Sequence, residues 1–274
     1  RKQLPTFSLN DFNSGYGVSG SWYALVRMQT DVLDHQPTLL IVDWCANDGV
    51  STFNQATQEA ALRRLLTALP DAAIILPMFM ALNIGAVAVN DTTNIKAALF
   101  TTLTALATHY GLTTIDCAAP IKAAVAGGHQ LSEYFNVGEV VHPNDGGHAS
   151  YSETIKPVSL LALQSYPVSR GALPERLYPD SADFEADPIL RDGTANDGET
   201  GTWTTSGGIR QSAVANSTMT FVGTFRAFGL DQAQGAGVWT YQIDGGAFST
   251  NCVGGVFSGI DIGARGAHTV VIKV

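Results

Sequence analysis

Thr38-Leu-Leu-Ile-Val-Asp43-Trp-Cys-Ala-Asn47-Asp-Gly49 divides into two halves of opposite character. The first is a continuous apolar run too short for a helix, the pattern of a strand covered on both faces. The second is a polar turn set directly behind it. Ala72-Ala-Ile-Ile-Leu-Pro77 and Leu112-Thr-Thr-Ile-Asp116 are two further runs of the same kind. Helical stretches separate them. Asn54 to Leu69 is expected to carry Glu59, Arg63 and Arg64 on a polar face, and the Ala- and Leu-rich Asn94 to Tyr110 stops at Gly111. Strands alternating with helices of this length form βαβ units, so residues 1–168 are expected to be an α/β domain. Its parallel sheet would be flanked by helices in a three-layer, flavodoxin-like arrangement. Ligands of such sheets bind beyond the carboxyl ends of the strands.

Beyond Tyr166-Pro167 the character changes. Residues 169–200 hold Pro174, Pro179, Pro188 and several Gly and Asp, the composition of a linker. From 201 to 274 short Thr-, Val- and Phe-rich runs alternate with turns, among them Thr218-Met-Thr-Phe-Val222, Val238-Trp-Thr-Tyr-Gln-Ile243 and His268-Thr-Val-Val-Ile-Lys-Val274. Asp244-Gly-Gly246 is a hairpin turn, and an all-β sandwich, jelly-roll-like, is expected.

The 274 residues are 45% hydrophobic and 14% charged, ample for a core. Lys+Arg number 15 and Asp+Glu 24, a net charge of −9, which opposes binding to a nucleic acid backbone. No apolar run reaches the length of a membrane span, and Arg1-Lys-Gln-Leu-Pro5 leads into no signal-peptide core. Cys45, Cys117 and Cys252 are isolated thiols without metal spacing, Cys45 and Cys117 being read as buried apolar groups. No metal or other cofactor is expected.

Two clusters carry chemistry. Ala46-Asn47-Asp48-Gly49 follows a strand, where an Asn amide can donate to an oxyanion; alone, it reads also as an Asx turn. In Glu139-Val-Val-His142-Pro-Asn144-Asp-Gly-Gly-His148, a carboxylate three residues before a His can orient the imidazole and leave its other nitrogen as general base. Alone, this too reads as a surface loop with incidental His. Asp48 and Asn144 are supporting candidates, and Asp116 a possible support of the Glu139 loop. His148 reads as structural, His129 and His268 as solvated.

Taken in order, these blocks and Asn13-Ser-Gly-Tyr-Gly-Val-Ser-Gly20-Ser21 resemble the SGNH (GDSL-type) hydrolase family over roughly residues 10–165. The resemblance implies Gly20 and Asn47 as oxyanion donors, His142 as general base and Glu139 as its orienting acid, where the family usually has Asp. The family's nucleophilic Ser lies in a Gly-Asp-Ser block on an earlier strand, and that tripeptide occurs nowhere in these 274 residues. The nucleophile is therefore expected on a segment outside this sequence, such as a bound second polypeptide, rather than at Ser14, Ser19 or Ser21.

The activity implied is ester hydrolysis by acyl transfer. An appended β domain with aromatic candidates Trp203, Trp239 and Tyr241 points to an acetylated glycan as substrate, hence to a carbohydrate O-acetyl esterase outside the cell or on a virion or cell surface. The rival expectation is a non-catalytic glycan-binding or structural module on a degenerate hydrolase scaffold. A third places the function in the β domain.

Overall fold

A computed structural model of the chain describes residues 10–15, 19–44, 46–185, 196–206, 209–229, 239–250 and 259–274. Cys45, Pro188, Val238 and Cys252, and Tyr16 to Val18 of the glycine-rich block, lie outside the described residues.

In chain order the first half runs α1 (Ser21–Asp31), β1 (Leu39–Ile41), α2 (Thr52–Ala68), β2 (Ala73–Met78), α3 (Ala86–Val89), α4 (Ala97–Tyr110), β3 (Thr113–Asp116), α5 (Ala118–Ala126) and α6 (Asp145–Gln164). The three apolar runs are the three strands, paired in parallel in the order β1-β2-β3. Every residue of the middle strand is buried. Alternation along it splits the core: Ile74, Leu76 and Met78 pack with α1, α2 and α4, whereas Ile75 packs with α5 and α6. The result is a three-layer α/β domain. α4 ends where expected, with Gly111 in the left-handed region at φ 64°. Among the described residues β1 pairs with β2 alone, and Ile41 is 50% exposed.

Glu59 departs from expectation. It is fully buried rather than part of a solvated face. Its carboxylate accepts the backbone N–H of Leu177 at 2.5 Å and of Tyr178 at 2.7 Å, and the hydroxyl of Tyr110 at 2.5 Å. The segment after α6 thus folds back over α2 and supplies donors that no local pattern announces. Arg63 continues this seam, donating to the Pro174 carbonyl at 2.7 Å and pairing with Glu185 at 3.1 Å. Glu59→Gln keeps one acceptor but sets an amide against a backbone donor. It is expected to cost about 1–3 kcal/mol of stability, read as a lowered urea midpoint with unchanged slope.

The expected linker contains structure. α7 (Ser181–Glu185) packs on α2, and β4 (Gly198–Thr200) is already part of the next sheet. There follow β5 (Thr204–Ser206), β6 (Ile209–Gln211), β7 (Thr218–Phe228), β8 (Thr240–Ile243), β9 (Ser249–Thr250) and β10 (Ile260–Lys273). They form one five-stranded sheet, β4-β7-β10-β8-β9, antiparallel throughout, and a separate two-stranded ribbon, β5-β6. Where the sequence predicts a sandwich, the described residues form an antiparallel sheet and this ribbon.

Trp239 is buried and Tyr241 packs with it among Val270, Ile272 and Phe228. Trp203 Nε1 donates to the carbonyls of Thr200 and Thr218 at 3.0 and 3.1 Å. These aromatics serve the sheet's own packing. His268 is likewise tied down rather than solvated, with Nδ1 2.8 Å from Asp244.

Two contacts seat the sheet on the α/β domain. Arg226 of β7, 7% exposed, is ringed by Asp180, Asp183 and Asp261 at 3.0–3.2 Å and stacks over Phe184. Gly259, just before β10, lies so close to Trp22 and Phe53 that a Cβ there would fall 2.6 Å from the Phe53 ring and 2.9 Å from the Trp22 ring. Trp22 lies in the first turn of α1 and Phe53 in the first turn of α2, so the sheet abuts the ends of both helices nearest the carboxyl edge of β1.

Candidate active site

Asn47 lies six residues past the end of β1. A tight turn lifts it there, the N–H of Asn47 and of Asp48 both donating to the Trp44 carbonyl at 3.3 and 3.0 Å. The side-chain amide is exposed, and Nδ2 donates to the Ser19 carbonyl at 3.0 Å. One amide hydrogen is thereby held; the other remains to serve a bound group. Ser19 precedes half-buried Gly20, the N-cap of α1, which makes no side-chain cap bond of its own. A Cβ at Gly20 would overlap Asp48 Oδ1, so the close approach of the two loops requires glycine there. Gly20, Asn47 and Asp48 are thus brought together.

Glu139 and His142 form the second group. Glu139 Oε1 accepts three consecutive backbone N–H groups, from Val140, Val141 and His142 at 2.9, 3.0 and 3.1 Å. His142 Nδ1 lies 3.3 Å from the same oxygen, the longest of the four contacts. The carboxylate is therefore first a cap of its own turn and second an orienter of the ring. The His142 side chain is 84% exposed, and Glu139 is its one polar side-chain partner among the described residues.

The three backbone donors, with the imidazole, hold the Glu139 carboxyl down at about 2, from an ordinary value of 4.5. A depressed carboxyl stabilises the turn fully above its ordinary range, and that support is lost as pH falls through about 2. The Val141 amide resonance is accordingly expected to show the carboxyl's titration step with a midpoint near 2. A midpoint near 4.5 would show that the three-donor cap is absent in solution.

The two groups share an edge of the sheet and are joined through the segments that follow β2 and precede α4. Lys96 Nζ donates to the Asp48 carbonyl at 2.6 Å. The neighbouring Ile95 N–H donates to the Ala81 carbonyl at 2.8 Å, and Leu82 N–H to the Val140 carbonyl at 2.7 Å. The loops that follow β1 and β2 are thereby tied to the segment that precedes α6 at the carboxyl end of the sheet.

The remaining candidates have other duties. Asn144 is the N-cap of α6: its Oδ1 accepts from Gly146 and Gly147, and its Nδ2 donates to the Ser132 carbonyl. It therefore fixes the direction in which the chain leaves His142. Asp116 caps α5 through the N–H groups of Ala118 and Ala119, rather than supporting the Glu139 loop. His148 is exposed on the first turn of α6, and His129 pairs with Glu133 at 2.9 Å. Ser21 Oγ is buried against Thr57 Oγ1 at 2.7 Å, and Ser14 Oγ donates to the Asp31 carbonyl at the far end of α1. Neither hydroxyl is placed to attack a substrate.

Beneath this edge Cys117 is fully buried, and burial, then Asp116 and Asp43, push its thiol up to about 12. Iodoacetamide is expected to leave Cys117 unmodified in native protein and to alkylate it after denaturation, as read by peptide mass. Among the described residues no group of His, Cys, Asp and Glu could hold a metal ion, and no helix is long and apolar enough to cross a membrane.

Two solved structures share this architecture. A two-domain esterase active on acetylated mannans, crystallised with mannopentaose, superposes with a TM-score of 0.74 at 20% identity, covering 96% of this chain and 73% of that one. A second structure of a two-domain esterase active on acetylated mannans gives 0.73 at 18% identity, covering 96% and 74%. At that identity the likeness is one of fold. None of the curated proteins matches the chain. A family model does: that of the GDSL-like lipase/acylhydrolase family matches residues 4–149, more than half the chain and all the strands of the parallel sheet. The order of its blocks, their position at the carboxyl edge of a parallel sheet and this match make the chain a member of the GDSL-like lipase/acylhydrolase family, an ester-hydrolysing enzyme.

Proposed function

We propose that the protein removes O-acetyl groups from a polysaccharide, with Gly20 N–H and Asn47 Nδ2 as oxyanion donors, His142 as general base and Glu139 as the acid that orients it. The observation that carries this is the joining of both groups into one surface through Lys96, Ile95, Ala81 and Leu82. A serine hydroxyl attacks the acetyl carbonyl while His142 Nε2 takes its proton. The carbonyl oxygen gains negative charge and is met by the two donors. His142 then returns the proton to the departing sugar oxygen, and water repeats the sequence to release acetate.

The serine is assigned to a Gly-Asp-Ser strand outside these 274 residues, on the same or a second polypeptide. In support, β1 has one partner strand among the described residues, and Ile41 is half exposed although it ends a strand whose neighbours are core. A parallel strand laid on that edge would pair its backbone groups and bring a hydroxyl at its carboxyl end beside Asn47. The polysaccharide assignment draws on the fold shared with esterases active on acetylated mannans, and it places the protein outside the cell or on a virion or cell surface.

The test is acetate release from acetylated mannan by full-length protein that includes Gly-Asp-Ser. Release from the polymer, with slower turnover of long-chain acyl esters, is expected. Preference for long-chain esters would overturn the substrate assignment, and binding of acetylated mannan without release would favour a non-catalytic module.

A further inference from the structure

Beneath Gly20 and Asn47 lies a buried polar layer that the reaction does not use directly. Ser21, Thr57 and Gln58 are fully buried and Asp48 is 5% exposed. Asp48 Oδ1 accepts the Ser21 N–H at 3.0 Å, and its Oδ2 accepts Gln58 Nε2 at 2.9 Å. Among the described residues no cation pairs with this carboxylate directly: Lys96 reaches the Asp48 main-chain oxygen instead. Burial pushes the Asp48 carboxyl above its ordinary range, against the lowering effect of its bonds from Ser21 and Gln58.

Geometry gives that carboxylate a task. Asp48 supplies from a distant loop the acceptor that the first turn of α1 lacks, since Gly20 has no side chain to cap it. Meanwhile Asn47 Nδ2 donates to the Ser19 carbonyl at 3.0 Å. The loops 19–21 and 46–48 are therefore laced by two bonds running in opposite directions, Ser21 to Asp48 and Asn47 to Ser19. The groups between the laces are the Gly20 N–H and the Asn47 amide.

We propose that Asp48 is a positioning residue that sets the separation of the two oxyanion donors, braced from below by Gln58 and from outside by Lys96. This rests on the oxyanion reading of Gly20 and Asn47. The role is one of shape rather than charge, which leads to an uncommon expectation for the isosteric variant. In Asp48→Asn the carbonyl oxygen can still accept from Ser21. Gln58 can rotate its amide to present Oε1, an oxygen that is buried without a hydrogen-bond partner in the structure. Asp48→Ala removes both braces.

The test compares variants of the full-length enzyme in acetyl-ester turnover, with rates normalised to folded protein. Asp48→Ala is expected to lower kcat about 10–100-fold with KM within about twofold, and Asp48→Asn to recover most of that loss. A purely structural role would lower the folded fraction and leave kcat per folded molecule untouched. Asp48→Ala retaining kcat while Asn47→Ala loses it would overturn the positioning role and spare the oxyanion hole. Asn47→Ala retaining kcat would overturn the oxyanion reading itself. If Asp48→Ala does not fold, Lys96→Met, at a half-buried position, takes its place. A loss in kcat alone of about 3–10-fold is expected, and unchanged kcat would overturn the proposal.

Discussion

Replacing His142 by Ala is expected to lower kcat/KM for ester hydrolysis by about 10³–10⁴-fold while leaving the fold intact. The side chain is 84% exposed, so its removal opens no cavity and breaks no packing. Glu139 keeps its three backbone donors without the ring, so the turn over 140–142 persists. What is lost is the proposed general base, which would take a proton from a serine and return it to the leaving oxygen. Far-UV and near-UV circular dichroism of the variant should match the parent, and the measurement is steady-state acetate release. Retained turnover in a correctly folded His142→Ala protein would remove the general base from this site.

Asn47→Ala is expected to cost about 10²–10³-fold in kcat, or about 3–4 kcal/mol of transition-state stabilisation. The proposed donor is held before substrate arrives, because one of its amide hydrogens is already committed to the Ser19 carbonyl at 3.0 Å. A prefixed donor spends nothing on reorganisation as charge develops on the substrate oxygen, which is why its loss appears in kcat rather than KM. Asn47→Asp is the sharper variant. It keeps the shape, cannot donate, and adds a negative charge where an oxyanion forms, so it should be at least as inactive as Ala. Equal activity of Asn47→Asp and the parent would exclude the side chain from the oxyanion hole.

Much of the α/β domain could be read from the chain because its strands are short apolar runs, the middle one buried on both faces. Such strands, like Ala73–Met78, announce themselves as unbroken apolar runs, and the glycine after Tyr110 marks a helix end by its φ alone. The spacing of Glu139 and His142 was legible for a similar reason, since an acid and a His three residues apart in one turn meet without help from elsewhere. Glu59 was misplaced because its acceptor role is satisfied by Leu177 and Tyr178, more than a hundred residues away. Periodicity reports what a helix face is made of, not what folds over it. The same limit hid β4, whose three exposed residues become a strand only by pairing with β7, and the buried duty of Asp48, which looks in sequence like an ordinary turn residue.

The edge carrying Gly20, Asn47, Glu139 and His142 is proposed as the place where an ester is opened. The most direct measurement is a crystal structure of the protein together with the proposed Gly-Asp-Ser strand, after inactivation with an alkyl fluorophosphonate. A phosphonyl group is expected on the serine of that strand, its oxygen within about 3 Å of both Gly20 N and Asn47 Nδ2, with His142 Nε2 within hydrogen-bond distance of the serine oxygen. A phosphonyl group seated elsewhere, or one whose oxygen meets neither donor, would contradict the proposal.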